Sequence, residues 1–182
     1  GGKAATSVAP DNPYIGVILP YAPLQLLLFS YNDGLHMPDL LVMTSANRSG
    51  MPICRTDEEV RTDLPGLCDL ILSHDRDILL RVDDSVVTLF EEEPYMIRRS
   101  RGYAPLPIYV NGDFHGTVLS AGGELKNTVC LAKDNLFYLS PHIGDVGCVR
   151  TETAQHECAV RLRDLLEITP QFGAADIHPA YE

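Results

Sequence analysis

The side chains best suited to chemistry sit in short polar loops that follow apolar runs. The clearest is Val42-Met43-Thr44-Ser45-Ala46-Asn47-Arg48-Ser49-Gly50. Ser45, Asn47 and Ser49 offer hydrogen-bond donors and acceptors without charge, and Gly50 lets a backbone approach closely. Such a loop suits phosphate or ribose oxygens. It also suits an ordinary polar turn, and composition alone does not choose. A second loop, Ile97-Arg98-Arg99-Ser100-Arg101-Gly102-Tyr103, sets three guanidinium forks beside a glycine. These match phosphate or carboxylate oxygens, and equally the nearby Asp83, Asp84 and Glu91-Glu92-Glu93. Asp83 or Asp84 could hold Mg²⁺ for a nucleotide. Neighbours on a strand point to opposite faces, so chelation by both together is disfavoured.

Two further loops complete the set. In Gly122-Gly123-Glu124-Leu125-Lys126-Asn127-Thr128 a glycine turn carries Lys126, Asn127 and Thr128. Such a turn can cradle a phosphate, with Lys126 as a point charge. It lacks the spacing and the following helix of a Walker A loop. Ser140-Pro141-His142-Ile143-Gly144-Asp145 places His142 and Asp145 just past a strand end, a position that serves catalytic groups and plain turns alike. His74-Asp75-Arg76-Asp77 is a third loop of that ambiguous kind.

The elements that must position these loops follow from periodicity. Tyr14 to Leu19 and Leu40 to Thr44 are expected to be strands, the latter buried. Pro23 can open a helix through Leu24, Leu27, Leu28 and Tyr31, stopping at Asp33-Gly34. Thr56-Asp57-Glu58-Glu59 is a capping box, and Pro65-Gly66 ends its helix. Leu70 to Ser73, Ser85 to Phe90 and Tyr95 to Arg98 are expected to be short strands, the last two joined by a charged turn. Ala104-Pro105-Leu106-Pro107 is stiff and extended, and Asn111-Gly112-Asp113 has turn chemistry. Beyond it, Thr117 to Ala121, Thr128 to Ala132 and Phe137 to Ser140 form a predicted meander. Thr151 to Ile168 is the clearest helix, with Ala154, Cys158, Leu162 and Leu165 on one face. A strand over Phe172 to Asp176 closes the pattern. The expectation is an α/β chain in two parts, 1–112 and 113–182.

Composition narrows the function. A net charge of -11 repels phosphate backbones, so general nucleic-acid binding is disfavoured. No run is apolar enough to span a membrane. Five cysteines at irregular spacing, without a CxxC, argue for reduced thiols in a cytoplasmic protein. Cys148, His156 and Cys158 could form a metal corner; the alternative is buried thiols plus a surface histidine.

Taken in order, these motifs resemble the HypF family of hydrogenase-maturation carbamoyltransferases. The matching stretches are Val8-Ala9-Pro10, Ile15 to Tyr21, Leu41 to Asn47, His74 to Ile78, Arg81 to Val87, Arg98 to Pro105, Gly123 to Thr128, Leu139 to Asp145 and His178-Pro179-Ala180-Tyr181. Each alone is weak; nine in series are specific. The resemblance implies a YrdC-like twisted mixed sheet with helices over 1–112, in its C-terminal part. It implies the opening of a carbamoyltransferase domain, of actin/Hsp70-like ATPase fold, over 113–182. In the family, ATP with Mg²⁺ and carbamoyl phosphate lead to carbamoyl-adenylate. The carbamoyl group then passes to the C-terminal cysteine of HypE, to become a cyanide ligand of the [NiFe] centre.

The resemblance implies nucleotide contacts at Ser45, Asn47, Arg99, Arg101, Lys126, Asn127 and Thr128. It leaves Arg99, Arg101, His142 and Asp145 as catalytic candidates. Asp11 departs from the family's usual Gly, and Ala46 matches the YrdC version of its motif. The upstream ATP-gripping basic motif, the zinc-ribbon CxxC pairs and the histidine cluster of the transferase metal lie outside this sequence. The expectation is therefore no metal site within it and no carbamoyl transfer by this stretch alone. Two rivals stand beside it: a stand-alone YrdC-like threonylcarbamoyl-adenylate synthase, and a non-catalytic module for nucleotide or double-stranded RNA.

Overall fold

A computed structural model describes residues 7–178. The chain is mixed α/β and divides into two units, one ending at Ser45 and one starting at Ala46. In the first unit, α1 spans Pro23–Ser30. Proline opens it, and the Gln25 side chain accepts from the Tyr21 and Ala22 N–H groups at 3.0 and 3.3 Å. Asp33 accepts from the Leu35 N–H at 2.9 Å in the turn that follows, with Gly34 at φ +80°. Asp11 has φ 57°, a conformation that glycine takes freely and aspartate tolerates. That accounts for its standing where the related family carries Gly.

The second unit holds the remaining elements. α2 spans Asp57–Asp63 behind the expected capping box: Thr56 Oγ1 accepts from the Glu59 N–H at 3.2 Å, and Glu59 reaches back to the Thr56 N–H. Strands β1 (Val86–Phe90) and β2 (Glu93–Arg98) make an antiparallel hairpin with a register shift between Val86 and Val87. Its tight turn puts both Glu91 and Glu92 at positive φ, 50° and 69°.

The larger sheet has five strands in the order β3-β6-β5-β4-β7: Pro107–Tyr109, Leu136–Leu139, Cys130–Lys133, Thr117–Ser120 and Phe172–Ala174. All neighbours are antiparallel except β4 and β7, which run parallel. A parallel return needs a crossover, and α3 (Val149–Leu166) supplies it. Leu162 and Ile168 pack on Val129 and Leu131, with Leu119, Tyr138, Ile143, Ala159 and Leu166 around them. A fully buried aliphatic side chain of this class is worth about 1.5–3 kcal/mol.

Several expected elements differ. Tyr14 to Leu19, Leu40 to Thr44 and Leu70 to Ser73 belong to no strand ladder. Leu40 is 83% exposed and Leu70 91%, so the expected burial of the 40–44 run is overturned. Apolarity favours a strand, but a strand also needs a partner to satisfy its N–H and C=O groups. Pro107, expected to end a stiff extended stretch, opens an edge strand over residues 107–109. Pro107 can open it because a first strand residue need not donate. On α3 the packed stripe is Thr151, Cys158 and Leu162, whereas Leu165 is 67% exposed. The metal corner does not form: Cys158 is buried, His156 is exposed, and all five cysteines are free. Two residues apart on a helix, 156 and 158 point to different sides. Pro179-Ala180-Tyr181 lies outside the described residues.

Candidate functional site

The glycine turn after β4 is built by exclusion and by pairing. Gly122 has φ +73°, and a Cβ there would meet the Thr128 carbonyl oxygen at 2.3 Å. Asn127 is 1% exposed, and its Nδ2 donates to the Ala121 and Gly123 carbonyls at 2.9 and 2.6 Å. The Asn127 Oδ1 is buried without a partner. Lys126 is held in the left-handed region at φ 52°.

This turn is tied to the loop after β6. The Asn127 N–H donates to the Gly144 carbonyl at 2.7 Å, and the Ile143 N–H to the Asn127 carbonyl at 2.9 Å. The Lys126 N–H donates to Asp145 Oδ1 at 2.7 Å, and the Val146 N–H to the Glu124 carbonyl at 2.8 Å. The structure thus brings together Lys126, Asn127, Thr128, His142 and Asp145, two loops that sequence reasoning had kept apart. Burial pushes the His142 imidazole below its ordinary value; Arg98 pushes the same way, Asp83 and Asp145 oppose, and Lys126 adds to the lowering.

Beside the turn lies a pocket of about 130 Å³, lined among others by Glu124, Asn127, Glu152, Gln155 and Asp176. Asp176 approaches Gly123 so closely that a Cβ there would lie 3.4 Å from its Oδ2. Glu124, Glu152, Gln155 and Asp176 were not singled out from the sequence. Glu124 sits inside the quoted glycine motif, and Asp176 ends the last predicted strand, so both carried a signal.

The other candidates are placed differently. Ser45 closes the first unit, whereas Asn47 belongs to the second. The Asn47 Nδ2 donates to the Met51 and Arg48 carbonyls at 2.9 and 3.1 Å, which shapes the loop from within. Gly50 has φ +76° in open space. Arg48 donates to the carbonyl of Asp63 at the end of α2. Arg101 pairs with Asp84 at 3.5 Å and donates to the Val82 carbonyl at 3.3 Å. Arg99 donates through Nη2 to the Leu106 carbonyl at 2.9 Å, while its Nη1 and the neighbouring Ser100 Oγ are buried without partners.

The family model described as Telomere recombination, covering Sua5, YciO and YrdC proteins, matches residues 2–100. The model described as HypF Kae1-like domain matches residues 113–182. The chain belongs to the HypF family. Carbamoyltransferase HypF2 of Cupriavidus necator is 43% identical over 186 residues, covering 96% of this chain and 23% of the relative. Carbamoyltransferase HypF of Synechocystis is 41% identical over 175 residues, covering 96% of this chain and 22% of the relative. A crystal structure of full-length HypF in the phosphate- and nucleotide-bound form matches with TM-score 0.70 and 37% identity, over 76% of this chain and 22% of that one. The chain therefore spans less than a quarter of the length of these HypF proteins.

The residues present fit a nucleotide with Mg²⁺ in donor chemistry. Lys126 is exposed beside the glycine turn, and Glu124 and Asp176 offer carboxylates at the same pocket. Mg²⁺ commonly keeps several waters and takes only one or two carboxylates together with phosphate oxygens. A dedicated cage is a different matter: among the described residues no group of three or more His, Cys, Asp or Glu is arranged to hold a metal. Nor is any described helix long and apolar enough to cross a membrane.

Proposed function

We propose that this chain is a working segment of a HypF-type carbamoyltransferase. In the whole protein, water cleaves carbamoyl phosphate to carbamate and inorganic phosphate, and a carbamate oxygen then attacks the α-phosphorus of ATP. Carbamoyl-adenylate forms and pyrophosphate leaves. The carbamoyl group is then taken by the thiolate of the C-terminal cysteine of HypE, and AMP departs. The observation that carries this reading is the succession on one chain of the two matched segments, 2–100 and 113–182. A stand-alone threonylcarbamoyl-adenylate synthase would leave 113–182 without a role.

The residues divide the work by what they touch. The loop at Ser45 and Asn47 would meet adenylating nucleotide, with Asn47 also fixing the loop's shape. Lys126 and the Gly122-Gly123 turn would meet phosphate in the transferase part, with Asn127 and Asp145 holding that turn in place. Fixed donors of this kind stabilise charge that develops on phosphate oxygens without reorganising. His142, kept toward its neutral form, would be able to accept a proton from an incoming thiol. Mg²⁺, when bound with ATP, would neutralise phosphate charge.

Nucleotide titration of the full-length protein tests the division. Asn47→Ala should weaken ATP binding in the adenylation step at least tenfold, and Lys126→Ala should leave it within about twofold. Loss of ATP affinity on Lys126→Ala with none on Asn47→Ala would reverse the assignment.

A further inference from the structure

Helix α3 carries a second working face beside the one that packs on the sheet. Thr151, Cys158 and Leu162 are its buried residues. Arg150 and Glu157, two turns apart, form the neighbouring stripe. Arg150 Nη1 lies 2.6 Å from Oδ2 of Asp63, the last residue of α2, whose side chain is 10% exposed. Glu157 Oε2 takes two guanidiniums at once, Arg55 at 3.3 Å and Arg81 at 3.2 Å. Arg81 also grips Glu59 at 2.7 Å and the Ile53 carbonyl at 2.7 Å. Arg55 reaches the Leu79 carbonyl at 3.4 Å.

Three carboxylates (Glu59, Asp63, Glu157) thus face three guanidiniums (Arg55, Arg81, Arg150), and the cluster is electrically neutral. Its α3 partners all come from residues 55–81, inside the segment matched at 2–100, whereas α3 lies in the segment matched at 113–182. The Arg55 and Arg81 side chains are each 20% exposed, so the contacts are partly screened from water without being sealed.

We infer that this seam is an electrostatic joint that sets the placement of residues 53–84 against the segment matched at 113–182. Glu157 is its keystone and Arg150–Asp63 its second pin. Long, charged side chains make such a joint separable. They hold through a few directed contacts, and loosening them leaves each segment's backbone ladder intact. Arg81 lies two residues from Asp83, which with Arg98 acts on His142 across the same boundary. The inference stands on the ion-pair geometry and is independent of the reaction proposed above.

Amide hydrogen exchange on the whole chain tests it. Glu157→Gln keeps the shape and removes the charge. It should speed exchange in residues 53–63 about tenfold while protection of β4, β5 and β6 is unchanged. Charge reversal on either side of the second pin, Asp63→Arg or Arg150→Asp, should do the same. The double reversal Asp63→Arg/Arg150→Asp should return exchange to within about threefold of the parent. Unchanged exchange in Glu157→Gln would overturn the inference, as would a double reversal worse than both single changes. Loss of protection in β5 together with the seam would overturn it too, because the seam would then be ordinary core and not a separable joint.

Discussion

Gly122 and Gly50 have nearly the same positive φ, +73° and +76°, yet they face different surroundings. At Gly50 a methyl group would meet nothing, so Gly50→Ala should cost only the conformational penalty, about 1 kcal/mol. At Gly122 the same methyl would strike the Thr128 carbonyl, so Gly122→Ala should cost about 2–4 kcal/mol more than that. Denaturant unfolding of the two variants measures the gap, and equal losses would contradict the geometry. His142 makes a pH prediction. Its folded pKa lies below the ordinary value of 6.5, so the unfolded chain binds the proton more readily. Its contribution to stability is fully present above about 6.5 and is lost as pH falls through the lowered folded value. His142→Gln should flatten that part of the stability–pH profile; an unchanged slope would remove His142 as its source. Glycine and asparagine are ordinary turn residues, so the sequence marked both loops as turns without choosing between a structural and a ligand-binding role. That Asp145 caps the Lys126 N–H was not legible, because the two meet only through the return of the chain after β6.

Elements were readable where the cause is local. The Thr56 capping box, the proline start of α1 and the meander all form from neighbours in sequence. Strands at 14–19, 40–44 and 70–73 were expected from apolarity alone, and pairing is a property of two segments, which no single run records. The β3 edge strand was hidden for the converse reason: two prolines masked a short pairing that Tyr138, Phe137 and Leu136 complete. The β1–β2 hairpin offers an element-scale test. Its turn demands two left-handed residues and uses Glu91-Glu92, where side chains clash with the backbone and like charges adjoin. Replacing them by Asn-Gly should raise stability by about 1–2 kcal/mol. A loss of stability, measured by thermal unfolding, would show that the glutamates make compensating contacts.

At the scale of the molecule, the chain combines two matched segments, and α3 serves both: one stripe completes the five-stranded sheet, the next holds Arg55, Asp63 and Arg81. Family membership was legible from nine short motifs in order, since their succession carries more information than any one loop. The proposed function requires that these segments belong to a protein that activates carbamate as an adenylate. The most direct test is pyrophosphate–ATP exchange by the full-length protein with carbamoyl phosphate or with L-threonine and bicarbonate. Exchange that depends on carbamoyl phosphate is the predicted result. Exchange driven by threonine and bicarbonate, with carbamoyl phosphate inert, would contradict the account and make the protein a threonylcarbamoyl-adenylate synthase.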